Sequence, residues 1–260
     1  MNEKFKSVNE DISYYIRPAT FPLAIKMLED VESSTFKAKR PKRDLGLSVM
    51  LCQAIGICRR QGLSILLTLE DICCPNALFF LGLAQPMEAY WQGKIAFTPF
   101  NQTEEARARR SRSLAFFPPN KYRGLLISPL FKADFEPDVI MIYGCPAQMM
   151  RFVQAATFRT GESLKNTAQG GGSCALEIVK PVLENEIGLV LPGNGERMFG
   201  LIHDDEMVCA IPGGKIDEIM TGLKETHAGG QRYPIPAFGN FTPLLPPTYD
   251  ALLKTIRKGE

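Results

Sequence analysis

The spacing of apolar and polar positions changes repeatedly along this chain, and each change marks an element. The opening segment through Tyr15 has helical spacing, and "FPLAIKML" (21–28) reads as a short strand with Pro22 at its start. The polar, basic stretch "ESSTFKAKRPKRD" (32–44) reads as an exposed loop. In "LGLSVMLCQAIGICRRQG" (45–62) the apolar positions recur three and four apart, two arginines close the run and Gly62 stops it, so a helix is expected. "LSILLTLED" (63–71) reads as a buried strand leading to Cys73 and Cys74, with Asn76 as cap of a short helix over "ALFFLGL". "NQTEEARARRSRSLAFF" (101–117) places acids in its first turn and arginines later, as the helix dipole favours.

Further on, "RGLLISPL" (123–130) and "DVIMIYG" (138–144) are strand-like, the second apolar enough to be central. Residues 147–161 form a helix ending at Gly161, and "GGGSCALEIVKPVLEN" (170–185) is a glycine loop feeding another. Residues 187–202 suggest two strands around the turn "PGNG", followed by a strand at 207–212 and a helix at 214–227. "PIPAFGNFTPLLPP" (234–247) is dense enough in proline to read as irregular chain. Strands and helices intermix without strict alternation. The expected fold is therefore α+β, a mixed β-sheet packed with helices in a single compact domain over 1–260, with 228–260 as an irregular C-terminal segment.

Composition narrows the function classes. Apolar content of 45% and charged content of 22% are those of a globular protein. A net charge of +2 gives no reason to expect a nucleic-acid partner, and no apolar run reaches the ~18 residues of a membrane helix. The first fifteen residues lack the apolar core of a secretory signal, so a reducing cytoplasm is expected and the seven cysteines are free thiols, thiolates or ligands.

No CxxC spacing occurs among them, so a zinc ribbon or a thioredoxin-type pair has no support. Cys52 and Cys58 lie six apart on one expected helix and therefore on different faces. If the backbone there is extended, Cys73 and Cys74 point to opposite sides, so at most one of each pair faces a given site. Free cysteine is commonly a small core residue, which is the blander account of each. Cys174 stands apart. It follows Gly170, Gly171, Gly172 and Ser173, and if Ser173 caps the helix the sulfur lies in its first turn, where a thiolate is favoured. That makes Cys174 a candidate nucleophile, but the only histidines, His203 and His227, would have to come beside it. With two histidines, any metal here would have mainly sulfur ligands, which points to iron–sulfur clusters or zinc. The arginine run "ARARRSR" (106–112) reads as a solvated helix face.

The order of "CQAIGICRRQG", "CCPNALFFLGL", "FEPDVIMIYGCPAQMMRFVQA", "GGGSCALEIVKP", "GNGER" and "DDEMVCAIP" resembles the uncharacterised domain-of-unknown-function family 169, found mostly in anaerobic archaea and bacteria. The resemblance implies no established activity. Its recurrent cysteines fall on Cys52, Cys74 and Cys174. Members also carry a cysteine before the Gly-x-Gly-x-Arg element, where this chain has Leu191 and Pro192. The first reading of these residues is a cytoplasmic redox or cofactor-binding protein. Cys52, Cys74 and Cys174 would hold an iron–sulfur cluster, with Cys73 packing, and the glycine loop and Arg197 would contact the bound group. The alternatives are a small-anion or tetrapyrrole (haem-like) binding protein without a cluster, and a thiol-dependent enzyme using Cys174. The expected partners are a small-molecule ligand or a redox protein, with a homo-oligomer left open.

Overall fold

The computed structural model describes residues 3–32, 35–95, 100–236 and 245–258. Its centre is a six-stranded sheet of β1 (Leu23–Leu28), β2 (Ile65–Thr68), β3 (Gly124–Pro129), β4 (Val139–Gly144), β5 (Gly188–Val190) and β6 (Met207–Pro212), in the order β2-β3-β1-β4-β6-β5. The fold is α+β, as expected. Among the described residues all five ladders are antiparallel, and parallel pairing is limited to the bridges Lys39–Ile65 and Val49–Ile72.

Helices cover both faces, which explains why β4 is apolar at every position instead of alternating. Alternation survives in where the side chains go. Val139, Met141 and Tyr143 enter one core, and Ile140 and Ile142 enter the other. The back core is closed by α1 (Glu3–Tyr15), α7 (Pro146–Thr157) and α10 (Ile216–Ala228). Their closest approach is set by Gly222, where any Cβ would strike the Ala155 carbonyl. The front core is closed by α3 (Leu51–Gln61), α4 (Pro75–Phe80) and the helical run from Ser173 to Glu184.

Several elements differ from the sequence expectation. The helix expected over 45–62 begins only at Leu51, because Val49 is held in the bridge to Ile72. The helix after Cys74 starts at Pro75, with Cys74 itself in the N-cap position, so Asn76 is inside it. A short α2 (Pro41–Leu45) interrupts the basic loop, and α5 (Glu88–Trp91) was not foreseen. The helix expected over 101–117 is α6 (Glu104–Ser113), capped by Thr103 accepting from the Ala106 N–H. The helical run after Cys174 contains a π turn, Ala175–Val179, before α8 (Lys180–Glu184). Pro181 cannot donate to the Glu177 carbonyl, and the Lys180 N–H instead reaches five residues back to the Ala175 oxygen.

The second strand expected around "PGNG" is instead α9 (Asn194–Phe199), since the Gly193 N–H is taken by Glu196 and Ser173 in helix-start geometry. Part of the expected irregular C-terminal segment is α11 (Pro247–Lys258), and residues 237–244 of it lie outside the described residues. No helix among the described residues is long and apolar enough to cross a membrane. A Gly222→Ala variant should lose about 1–3 kcal/mol of stability by overpacking the α7–α10 contact, measurable as a lowered midpoint in urea unfolding. An unchanged midpoint would contradict that close approach.

Candidate functional site

Four chain segments are tied together on the front face. The Val49–Ile72 bridge is closed by the Val49 N–H donating to the Asp71 carbonyl (2.8 Å) and the Cys73 N–H to the Val49 carbonyl (3.0 Å). This sets the start of α3 beside Cys74. Asp71 anchors the corner. Although burial opposes its charge, donors from the Lys42 N–H, Thr68 and Arg40 hold its carboxyl below the ordinary carboxylate range. The Ser173 hydroxyl accepts the Gly193 N–H at 2.7 Å, and the Asn194 N–H donates to the Gly170 carbonyl at 3.4 Å. The two halves meet where a Cβ on Gly56 would come within 2.7 Å of the Gly200 oxygen, and the Cys52 thiol reaches the Gly195 carbonyl at 3.6 Å.

These ties enclose a cavity of about 340 Å³. Cys52, Cys74 and Cys174 all line it, each from the first residues of a different helix. The other four cysteines are elsewhere. Cys58 and Cys209 are fully buried in the two cores, and Cys145 caps α7 near the Tyr233 hydroxyl. Cys73, expected to pack, is exposed. Most of the remaining wall is apolar, with Leu51, Ile55, Phe80, Phe100 and Phe199 prominent.

The thiols are neutral in this environment. Burial pushes Cys52 up to about 12, with the charges of Glu196 and Cys74 adding to it. Burial likewise raises Cys74 against two opposing backbone N–H groups, and it raises Cys174 well above the ordinary thiol value. The helix-start effect expected to make Cys174 a thiolate is outweighed by desolvation. The expected cap is also different, because the Ser173 hydroxyl serves Gly193 and not its own helix. No histidine lines the cavity: His227 packs on Tyr15 of α1, and the His203 N–H donates to Glu206.

Glu196 adds a carboxyl to the wall, accepting from the Gly193 N–H at 3.2 Å and the Tyr143 hydroxyl at 3.4 Å. Behind it lies Glu177, in the π turn and fully buried, with neither oxygen in a hydrogen bond of ordinary geometry. Burial, then the charge of Glu196 and a side-chain contact with it, hold the Glu177 carboxyl well above the ordinary range, opposed by Arg59. Sequence spacing gives no sign of this acid pair.

Two expected contacts fall away. Arg197 is outside the cavity wall, where it donates to the backbone carbonyls of His203 and Glu206. Gly170 is likewise outside the wall, whereas Gly171, Gly172 and Ser173 belong to it. The arginine run was read as a solvated face, yet Arg110 lines the cavity. A larger, open groove of about 940 Å³ lies near β2, but its Arg40 and Arg43 are already paired with Asp71 and Asp44. Among the described residues, no three or more His, Cys, Asp or Glu side chains are gathered closely enough to hold a metal ion.

This α+β protein with a three-thiol cavity can now be set beside known sequences. Residues 11–222 match the model of the family described as DUF169, uncharacterised ArCR, and the chain belongs to that family. It is also similar to "Uncharacterized protein MJ0308" of Methanocaldococcus jannaschii, 24% identical over 175 residues, which is 66% of this chain and 75% of that protein. No solved structure matches it.

Glu177 gives the fold a pH dependence of known sign. Its folded value is raised, so its contribution is complete below the ordinary 4.5 and is lost progressively as pH rises toward the folded value. Glu177→Gln carries no proton to lose. It should therefore gain on the wild type as pH rises above about 5, by up to about 1.4 kcal/mol per unit, read from paired denaturant titrations. A difference independent of pH would contradict the buried, protonated acid.

Proposed function

We propose that this protein binds a redox cofactor in the three-thiol cavity, and that the cofactor is an iron–sulfur cluster held by Cys52, Cys74 and Cys174. The observation that carries this reading is the convergence of these three cysteines, out of seven, on one wall from three separate segments. A single zinc ion would draw its thiolates to about 2.3 Å from one point. A cluster instead bonds each thiolate to a different iron, which suits sulfurs that share a cavity without touching.

Desolvation penalises a bare thiolate here, but a positive metal centre replacing the proton removes that penalty. Three protein thiolates would leave a four-iron cluster with one iron lacking a cysteine, in keeping with Leu191 and Pro192 before "GNGER". When bound, such a cluster supplies one-electron transfer, and the apolar wall would keep water from it. In this reading the protein works with a redox partner in a reducing, low-oxygen cytoplasm.

A second reading, a small organic anion held without a cluster, is favoured by Arg110 on the wall. A tetrapyrrole has less support, since about 340 Å³ is near the lower end of the roughly 300–1,000 Å³ usual for ligand pockets. The nucleophile reading has less still, with a neutral Cys174 and no histidine on the wall.

Purification without oxygen, followed by iron and sulfide analysis and an absorbance spectrum, tests the cluster. Cys52→Ser, Cys74→Ser and Cys174→Ser should each lower bound iron by about tenfold or more, while Cys58→Ser and Cys209→Ser keep it. Wild type free of iron and sulfide, or equal loss in all five variants, would contradict the proposal.

A further inference from the structure

Among the described residues, the cavity wall carries one cation, Arg110, whose charge no carboxylate answers. Arg110 lies on α6, and among the described residues its guanidinium has no carboxylate partner and no hydrogen bond. Its neighbours on the helix are occupied: Arg107 donates to the Gly93 and Asn101 carbonyls, and Arg112 to that of Trp91.

Arg110 is nevertheless held in place. Its guanidinium stands 5.6 Å from the centre of the Phe100 ring, a cation–π arrangement. The glycine loop lies under both groups. A Cβ on Gly171 would come within 2.8 Å of Phe100 and 3.1 Å of the Arg110 nitrogen, and one on Gly172 within 3.4 Å of that nitrogen. Gly172 also has φ +77, a conformation that disfavours other residues. The glycines therefore let the chain pass close beneath a positioned guanidinium.

We propose that Arg110 recognises the acidic group of the ligand, and that this ligand is a small organic anion with an apolar body. The charge follows from the unpaired guanidinium. The apolar body follows from the wall, where Leu51, Ile55, Phe80 and Phe199 offer no hydrogen-bond partner. A sugar or nucleotide would bury hydroxyls there unpaired, at a cost an alkyl or aryl body avoids. Glu196 orients the ligand. Its carboxyl is committed to Gly193 and Tyr143 and repels a second negative group, so the acid of the ligand is turned to Arg110. This proposal rests on the second reading above, an organic anion held without a cluster, and deepens it by naming the ligand's class.

The probe is hexanoate, titrated calorimetrically into protein stripped of iron by chelation, with hexan-1-ol and inorganic phosphate as comparators. Hexanoate should bind at least about tenfold more tightly than either, because only it has both the charge and the apolar body. Arg110→Gln should weaken hexanoate by about tenfold or more and leave hexan-1-ol unchanged, whereas Arg109→Gln, an exposed neighbour on the same helix, should change neither. The titration uses iron-free protein, so its outcome is read independently of whether a cluster binds. Equal affinity of Arg110→Gln and wild type for hexanoate overturns the proposal. Equal weakening by Arg109→Gln, equal binding of phosphate, or no binding of hexanoate overturns it as well.

Discussion

The front face of this protein is organised around one buried cation. Arg59 of α3 is fully buried, and its two terminal nitrogens meet both oxygens of Glu206 at 2.6 and 2.8 Å. It also donates to the Leu201 carbonyl at 3.0 Å, and its guanidinium carbon stands 4.2 Å from the centre of the Tyr143 ring. One side chain thus fixes the segment after α9 against both α3 and the central strand. Taking away one partner of such a pair costs about 3–5 kcal/mol, because the other is left charged in a dry interior. The close contact of Gly56 with Gly200 depends on that clamp, and so does the position of α9 on the cavity wall.

From Arg59 a line of polar groups runs inward through Tyr143 and Glu196 to Glu177. Each is deeply buried. Burial, with the charges of Glu177 and Glu196 adding to it, raises the Tyr143 hydroxyl well above its ordinary value. The same two acids raise Cys174, although desolvation is the largest cause. The cavity therefore disfavours negative charge at its sulfurs, while Arg110, without a carboxylate partner among the described residues, favours it. A bound group that brings positive charge to the sulfurs, or an anion to Arg110, relieves one of these imbalances.

Much of the architecture was legible in the chain. The apolar run Val139–Tyr143 marked a central strand and Gly62 marked a helix end, because local chemistry decides those features, whereas α7 stops at Thr157, short of Gly161. The pairing of Cys73 and Cys74 showed that only one of them would face a site. Features set by distant contacts were hidden. "PGNG" reads as a hairpin turn until Ser173, twenty residues earlier, takes the Gly193 N–H and starts a helix. Arg110 reads as one of several surface arginines until the glycine loop and Phe100 close over it. Cys174 reads as a thiolate from its helix position, because sequence does not report how completely the site excludes water.

The central claim is that Cys52, Cys74 and Cys174 face one shared space. An aryl arsenical that bridges two neighbouring thiols tests it directly, titrated onto reduced, metal-free protein and located by peptide mapping. One arsenical per chain, bridging two of those three residues and leaving Cys73 and Cys145 unbridged, is the expected result. A bridge formed through Cys73 or Cys145, or no bridge at all, would show that the three sulfurs do not share a cavity.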